Sequence, residues 1–366
     1  MARTRSHPQP EPSIRPHAGT ARSAVATIGN GSEEFVRNPP EEVPQGHEGV
    51  PRVVSSVTVS VPAKVNLQLA VGGVRPDGFH ELVTVFHAVS LYDEVTVTPA
   101  DRLSVACEGE GLADVPLDTT NLAARAAILL ADRLGREPHV RIDIRKGIPV
   151  AGGMAGGSAD AAAALLACDT LWRGDTPREM LRRLGAELGS DVPFSDLGGT
   201  AIGTGRGERL ASVPTTARFH WVFALADGGL STPAVYGECD RLREEAGEVV
   251  PRPAPREELI AALRAGDPIA LGKNLVNDLQ PAALSLRPSL AATLAAGADA
   301  GAVGSLVSGS GPTCAFLAAD EDGAHVVAER LAASGTCRAV RVAFGAVSGA
   351  RVLPRRVVPM ERENTL

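Results

Sequence analysis

The segment that most constrains the fold is a glycine-rich turn that opens directly onto an alanine-rich stretch, PVAGGMAGGSADAAA, over residues 149–163. Four glycines fall within six positions, so the backbone carries little side-chain bulk and can wrap its N–H groups around an anion. The helix that we predict for Ala159–Trp172 would place the positive end of its dipole at the same point. The turn therefore predicts a phosphate-binding loop, with a plain flexible turn between strand and helix as the alternative.

Two common nucleotide-binding motifs do not account for this turn. A P-loop ends in Gly-Lys-Ser/Thr, whereas here Ser158 and Ala159 follow Gly157. The pair Gly272–Lys273 has the lysine, but the upstream glycine spacing is wrong. The Rossmann fingerprint needs Gly-x-Gly-x-x-Gly after a first strand, whereas these glycines are paired and lie far into the chain. Both motifs are therefore excluded.

Composition narrows the class of protein further. The formal charge of −7, the absence of a Lys/Arg block and an aromatic content of 3% argue against a nucleic-acid partner. The five cysteines are scattered without a Cys-x-x-Cys pair, which predicts neither a zinc site nor a disulfide framework but reduced thiols in the cytoplasm. Apolar runs stay well short of the roughly 18 residues of a membrane span, so no membrane association is expected.

The pattern along the chain predicts an α+β protein. Residues 1–52 hold eight of the 27 prolines and few apolar residues, so we predict a disordered N-terminal extension, with a start codon assigned too far upstream as the alternative. Beyond it, β-branched alternation and helical spacing interleave irregularly, which favours a two-lobed enzyme over a regular parallel barrel. The predicted strands are Val53–Val61, Leu82–Val89, Glu94–Thr98, Val140–Ile144, Trp221–Ala226, Ala302–Ser308, Cys314–Ala318 and Arg338–Ala343. The predicted helices are Asn121–Leu134, Ala159–Trp172, Pro177–Leu188, Glu257–Ala265, Pro288–Ala296 and Gly323–Ala333.

Four further segments, taken with the glycine-rich turn, resemble the GHMP kinases. They follow one another in the order of that family's motifs and are PAKVNL at 62–67, RPDGFH at 75–80, LGSDVPF at 188–194 and SGSGPT at 308–313. The doubly glycine-rich turn and the RPDGFH segment are similar to those of one branch, the 4-diphosphocytidyl-2-C-methyl-D-erythritol kinases. The resemblance covers residues 57–345, and several motifs in the right order are far more specific than one.

The resemblance implies a fold and an activity. The fold would be the two-lobed GHMP kinase fold, with an ATP-binding lobe at 53–212 that is similar to ribosomal protein S5 domain 2. A ferredoxin-like lobe would follow at 213–348, and a C-terminal tail at 349–366. The implied reaction transfers the γ-phosphoryl group of ATP, with Mg²⁺, to the 2-hydroxyl of 4-diphosphocytidyl-2-C-methyl-D-erythritol in the non-mevalonate route to isoprenoid precursors, by a monomer or homodimer. The alternatives are a kinase of homoserine or mevalonate type, a non-catalytic nucleotide-binding protein of this fold and, third, a NAD-binding protein.

The resemblance also implies two catalytic residues. Asp191 would be the base that orients the acceptor hydroxyl and takes its proton. Lys64, expected at the end of the first strand, would pair with Asp191 and hold developing phosphate charge. A turn-capping aspartate and an exposed strand-edge lysine are the alternatives for these two positions.

The remaining site residues carry over from the same motifs. Phe79 stands where the family often has tyrosine, and together with His80 it would hold the cytidine base. Ala151 and Ala159 depart from a glycine and a serine of the usual loop. For Asp160 we expect a capping role in the first helical turn, and the sequence singles out no carboxylate ligand for Mg²⁺. The predicted cofactor-binding residues are Pro149, Val150, Ala151, Gly152, Gly153, Met154, Ala155, Gly156, Gly157, Ser158 and Ala159. The predicted substrate-binding residues are Asn66, Phe79, His80, Thr232, Tyr236, Gly309, Ser310 and Gly311, for the last five of which a plain loop or hairpin turn is the alternative.

Overall fold

A computed structural model describes residues 56–150, 152–215 and 217–354 of the chain. The predicted extension at 1–52 and Ala151 of the glycine-rich turn lie outside the described residues, as does most of the predicted C-terminal tail. The described strands are β1 (Val57–Val74), β2 (His80–Pro99), β3 (Ser104–Glu108), β4 (Val140–Arg145), β5 (Thr200–Gly205), β6 (Arg209–Ser212), β7 (Phe219–Leu225), β8 (Val276–Asn277), β9 (Gly304–Val307), β10 (Cys314–Ala318), β11 (Ala339–Gly345) and β12 (Arg351–Val352). The described helices are α1 (Leu122–Arg133), α2 (Gly156–Trp172), α3 (Arg178–Leu188), α4 (Val192–Leu197), α5 (Thr232–Glu245), α6 (Glu257–Ala265), α7 (Pro268–Asn274), α8 (Gln280–Leu286), α9 (Ser289–Asp299) and α10 (Glu321–Ser334).

Two long antiparallel strands form the centre of the N-terminal half. Their β-branched residues suit a pleated, half-buried surface, and β1 pairs with β2 from Val57 opposite Val97 to Val74 opposite His80. The two predicted strands of this region are one strand, β2, because a shift of register opposite Pro62 and Ala63 lets it bend without ending. The outer half of β2 pairs with β4, and its inner half pairs with β5.

The alanine-rich stretch forms a helix that is buried on every side. In α2 the residues from Ala159 to Asp169 are all buried, and their small side chains let it pack closely between the sheet and its neighbours α1 and α3. Asn121 starts α1 by accepting a hydrogen bond at 2.9 Å from the backbone N–H of Ala123. The prediction of α1, α2 and α3 is therefore confirmed, with shifts of up to three residues at their ends.

The C-terminal half builds a second antiparallel layer in the order β11-β7-β10-β9, with helices packed on it. This layer joins the first through one residue pair, Gly345 in β11 opposite Val89 in β2. Two short strands then return to β1: β8 pairs with it in parallel, and β12 pairs with it antiparallel at Val59 and Ser60. The α+β prediction is confirmed, and residues 351–352, in the segment predicted as a tail, form a strand of the first layer.

Candidate active site

Two cavities lie on either side of the glycine-rich turn. The larger, of about 830 Å³, is bordered by β1, β2, α5 and the turn between β9 and β10. The smaller, of about 310 Å³, is bordered by the turn itself, by Lys146 and by the first residues of α1. Gly153 and Ala155 border both cavities, so the turn forms a shared wall at which the two cavities adjoin.

Lys64 and Asp191 meet at this wall. Lys64 Nζ lies 3.5 Å from Asp191 Oδ2 and also donates to Asn66 Oδ1 at 2.7 Å. The lysine side chain is 7% exposed, whereas the aspartate side chain is 31% exposed and borders the larger cavity. The prediction that these two residues pair is confirmed, and the lysine is not an exposed strand-edge residue.

Their backbone settings differ from the expectation in one respect. The prediction that Lys64 ends the first strand is wrong, because β1 continues for ten residues beyond it, to Val74, held by its pairing with β2. Asp191 precedes the short helix α4, but its side chain accepts no capping hydrogen bond there. The carboxylate is therefore available to the cavity, which removes the turn-capping alternative.

The glycine-rich turn is held against both halves of the chain. Gly153 adopts φ +70°, and its carbonyl oxygen accepts hydrogen bonds from Lys64 Nζ at 3.2 Å and from Ser308 Oγ at 3.3 Å. Ala155, directly before α2, is also left-handed with φ +62°, a conformation that an alanine adopts only where its surroundings hold it. The turn is therefore pinned to β1 on one side and to the β9–β10 turn on the other.

Most of the predicted cofactor-binding residues lie together at the smaller cavity. It is bordered by Pro149, Val150, Gly152, Gly153, Met154, Ala155, Gly156 and Gly157. Ser158 borders the larger cavity instead, and Ala159 faces the hydrophobic core with 1% of its surface exposed, so it borders neither. Gly156 and Gly157, the first residues of α2, border this cavity, so the positive end of the helix dipole favours an anion there.

The turn after β1 brings Phe79 and His80 to the mouth of the larger cavity. Phe79 is 51% exposed, which is unusual for a large apolar side chain and leaves its ring available for stacking. Two residues of α5 hold His80: its Nε2 lies 2.9 Å from Asp240 Oδ1, and its ring centre lies 5.0 Å from that of Tyr236. The Phe79 ring is therefore open for stacking, whereas the His80 ring is fixed in place by its contacts.

The other predicted substrate residues close the far side of this cavity. Thr232 and Tyr236 lie on α5, a helix that the sequence did not predict, and Thr232 Oγ1 lies 2.9 Å from Ser310 Oγ. Burial raises the pKa of the Tyr236 hydroxyl, with the Asp191 carboxylate adding to the effect, so that hydroxyl stays protonated. Gly309 and Ser310 border the cavity, whereas Gly311 lies behind them against Val307.

Asn66 and Asn277 hold Lys64 and the β9–β10 turn in place at the wall of the larger cavity. Asn66 accepts from Lys64 and donates to Thr84 Oγ1 at 2.8 Å, so it orients the lysine as well as bordering the cavity. Asn277 donates to the carbonyl oxygens of Val307 and Gly309, at 2.7 Å each. The turn that carries Gly309 is thus a hairpin turn between β9 and β10 and also a fixed wall of the cavity.

A buried ionic cluster beneath the smaller cavity escaped the sequence analysis. Lys146 Nζ contacts Asp93 and lies 2.7 Å from Asp160 Oδ2, and all three side chains are at most 5% exposed. The Asp93 carboxylate also accepts from the backbone N–H groups of Gly147 and Ile148, at 2.7 and 2.8 Å, where the glycine-rich turn begins. The cluster therefore joins β2, the start of the turn and α2.

The capping role expected for Asp160 is wrong. Because Asp160 is the fifth residue of α2, it faces inward to Lys146 instead of the free N–H groups of the first turn. Burial, with the nearby Asp93 carboxylate adding to it, raises the pKa of Asp160 well above its usual value. Burial alone would lower the pKa of Lys146, but the two carboxylates outweigh it and raise that pKa. A lysine between a strand and a glycine-rich turn was the available signal, but its partners lie 53 and 14 residues away.

The described part of the chain has neither a cluster of metal-ligating side chains nor a helix that could span a membrane. No group of three or more His, Cys, Asp or Glu side chains in residues 56–354, as far as these are described, is arranged to hold a metal ion. Across the same residues, none of the helices combines the length and apolar character that crossing a membrane requires. All five cysteines are free thiols.

Comparison with known proteins places this site in a family. Residues 121–199 match the GHMP kinases N terminal domain, and residues 259–337 match the GHMP kinases C terminal domain. The 4-diphosphocytidyl-2-C-methyl-D-erythritol kinase of Streptomyces avermitilis is 66% identical over 298 residues, which are 81% of this chain and 100% of that protein. The enzyme of the same name from Thermobifida fusca is 60% identical over 307 residues, 82% of this chain and 99% of its own length.

Solved structures give the same result at greater distance. A crystal structure of 4-(cytidine 5'-diphospho)-2C-methyl-D-erythritol kinase matches with a TM-score of 0.64 and 34% identity, over 78% of this chain and 98% of that one. A homoserine kinase from Cytophaga hutchinsonii also reaches a TM-score of 0.64, but at 18% identity over 83% of this chain and 99% of that one. The second likeness is one of fold alone.

Proposed function

The chain belongs to the 4-diphosphocytidyl-2-C-methyl-D-erythritol kinase family of the GHMP kinases, and we propose that Lys64 and Asp191 carry its phosphoryl transfer. It is an ATP-dependent kinase of the 2-hydroxyl of 4-diphosphocytidyl-2-C-methyl-D-erythritol, in the non-mevalonate route to isoprenoid precursors. The observation that supports the assignment of residues is the position of this pair beside the wall shared by the two cavities.

The smaller cavity suits ATP and the larger cavity suits the acceptor alcohol. Backbone N–H groups of the glycine-rich turn and the N-terminus of α2 would bind the phosphates, and the wall at Gly153 and Ala155 would let the γ-phosphate face the acceptor. Phosphoryl transfer needs little from the protein beyond alignment and charge stabilisation, and a shared wall between two cavities supplies the alignment.

Asp191 is suited to the role of base. Its carboxylate accepts no capping bond in α4, lies partly open to the larger cavity and is oriented by the Lys64 ammonium 3.5 Å away. It can accept a hydrogen bond from the 2-hydroxyl and take its proton as the oxygen attacks. Lys64 bonds to the Gly153 carbonyl as well, so it holds the base and the phosphate-binding turn in one geometry.

We extend the proposal to Mg²⁺, which ATP chemistry uses to neutralise phosphate charge. Because the described residues offer no cluster of three ligating side chains, the phosphates and water would supply most of its coordination. Ser158 would be one hydroxyl within its reach, because it lies at the start of α2, directly after the glycine-rich turn, and borders the larger cavity. The free thiols suit a reducing compartment, so we also propose that the enzyme works in the cytoplasm.

The test separates chemistry from binding. Asp191→Asn keeps the shape of the side chain but removes the base, so we expect kcat to fall by about 100-fold or more while the affinity for ATP stays within about threefold. Asp227→Asn is the matched control and should behave as wild type, because this side chain is 83% exposed and borders neither cavity. An Asp191→Asn enzyme with wild-type kcat would remove the base from this mechanism.

The acceptor is tested on the wild-type enzyme. ATP consumption is measured with 4-diphosphocytidyl-2-C-methyl-D-erythritol, homoserine and mevalonate in parallel. We expect turnover with 4-diphosphocytidyl-2-C-methyl-D-erythritol and at least about a hundredfold lower kcat/KM with homoserine and mevalonate. Neither of these two alcohols carries a base that could contact Phe79 and His80 at the entrance of the larger cavity. Comparable rates with homoserine or mevalonate would contradict the assignment.

A further inference from the structure

Arg206 is the cation at the larger cavity that the proposed mechanism leaves without a role. Of the basic side chains that border this cavity, Lys64 is paired with Asp191 and His80 with Asp240. Within the described part of the chain, no carboxylate oxygen lies within 4.0 Å of the Arg206 guanidinium. A cation without an acidic partner at the edge of a binding cavity is available to an anionic ligand.

The backbone holds Arg206 in place. It lies in the tight turn between β5 and β6, flanked by Gly205 at φ +75° and Gly207 at φ +105°, values that favour glycine. The Glu208 carboxylate accepts a hydrogen bond from the backbone N–H of Arg206 at 2.7 Å. Because Glu208 is bonded to the backbone, it fixes the turn without neutralising the guanidinium.

The side chain is aimed across the mouth of the cavity. The guanidinium carbon lies 4.9 Å from the centre of the Phe79 ring, within the range of a cation–π contact. Its Nη2 lies 3.4 Å from the carbonyl oxygen of Ala186 near the end of α3, close to the segment that leads to Asp191. Arg206 therefore spans from the aromatic turn of β1–β2 toward the base.

We propose that Arg206 binds the diphosphate of the acceptor and so selects an acceptor that carries phosphate groups. This inference rests on the proposed function, because it takes the larger cavity to be the acceptor site. A diphosphate links a nucleobase at Phe79 to an alcohol at Asp191, so its charges pass the position that Arg206 occupies. The planar guanidinium can donate two parallel hydrogen bonds to phosphate oxygens while its face stays on the Phe79 ring.

The experiment compares Arg206→Ala, Arg206→Lys and Arg209→Ala. Arg209 is the matched control, because its side chain is 75% exposed on the neighbouring strand β6 and does not border either cavity. For each enzyme we measure kcat, the KM of both substrates, and the inhibition constants of CDP and of cytidine against the acceptor. Calorimetric titration of CDP repeats the binding measurement without turnover.

We expect Arg206→Ala to raise the KM of the acceptor and the inhibition constant of CDP by about tenfold to a hundredfold. Cytidine inhibition and the KM of ATP should stay within about twofold, because neither involves the acceptor diphosphate. The value of kcat should also stay within about twofold, because Arg206 would bind the diphosphate equally in the ground state and the transition state. Arg206→Lys should recover part of the lost affinity, because lysine keeps the positive charge but lacks the paired N–H donors of the guanidinium. Arg209→Ala should match wild type.

Two results would overturn the inference. An unchanged CDP affinity in Arg206→Ala would show that the diphosphate does not contact this residue. An equal loss of affinity for CDP and for cytidine would show that Arg206 supports the Phe79 ring against which the base stacks, instead of binding phosphate. If the wild-type enzyme failed to phosphorylate the acceptor, the proposed function would fall, while the calorimetric comparison of CDP binding would still decide the role of Arg206.

Discussion

Replacement of Gly153 by alanine tests whether the phosphate-binding turn must lie directly against the β9–β10 turn. Gly153 has φ +70°, a backbone conformation that costs a residue with a Cβ about 1–2 kcal/mol. The added methyl would also overlap the carbonyl oxygen of Ser308, and the backbone N and O of Gly311, each 3.2 Å from it, leave it no room to turn aside. The turn must therefore move away from its neighbour.

That movement should affect catalysis more than stability. Because Gly153 accepts a hydrogen bond from Lys64, a displaced turn also misplaces the lysine that orients Asp191. A misplacement of about 1 Å between reacting groups costs about a hundredfold in rate, so we expect kcat to fall by about that factor. Chemical denaturation should show a loss of about 1–2 kcal/mol in the free energy of unfolding from the backbone strain.

Gly335→Ala is the matched control for strain. Gly335 follows α10 with φ +67°, and an added Cβ there would meet no atom within 4 Å. We expect this variant to lose a similar free energy of unfolding and to keep wild-type kcat. A wild-type kcat in Gly153→Ala would show that the contact between the two turns does not position the reacting groups.

Two further predictions concern buried polar groups. Complete burial lowers the pKa of His87 from its usual 6.5 to about 4, so the unfolded chain takes up a proton that the folded chain excludes as the pH falls between those values. Between pH 6.5 and pH 4, chemical denaturation should show that wild type loses about 3 kcal/mol more unfolding free energy than His87→Gln. An equal loss in both proteins would contradict the lowered pKa of His87. Asn277→Ala should cost roughly 2–4 kcal/mol of unfolding free energy and raise the KM of the acceptor, because it leaves the buried carbonyl of Gly309 and the N–H of Leu279 without partners. Asn274→Ala, which removes one bond to the carbonyl of Ala270, is its control and should cost less than about 1.5 kcal/mol, so equal losses would refute the prediction.

Local patterns predicted the elements whose signal is strong. The helix Glu257–Ala265 and the strand Cys314–Ala318 have the predicted bounds, because helical spacing in the first and a short, wholly apolar run in the second are properties of neighbouring residues. The helix α5 was not predicted, since Pro233, Gly237 and its mixed charges weaken the helical pattern, and its packing against α8 provides what propensity does not. The continuous strand β2 was also missed, because its pairing with β1 and β4 carries it past an irregular stretch.

By itself the sequence determined the chemical class of the site. A glycine-rich turn before an alanine-rich helix is a local arrangement, so it predicts a phosphate-binding loop without knowledge of distant residues. The resemblance carried by the motifs implied that Lys64 and Asp191 pair, and the structure brings them to 3.5 Å.

Only the tertiary structure decided which charges lie together around that loop. Strand register and helix packing bring Asp93 and Asp160 to Lys146, and they leave Arg206 over Phe79 without an acidic partner in the described part of the chain. These contacts join residues that lie 14, 53 and 127 positions apart, on a strand, a helix and the turns between elements, so no pattern of neighbouring residues specifies them. The pattern of neighbouring residues therefore specifies the loop, whereas pairing between distant strands specifies the charges that surround it.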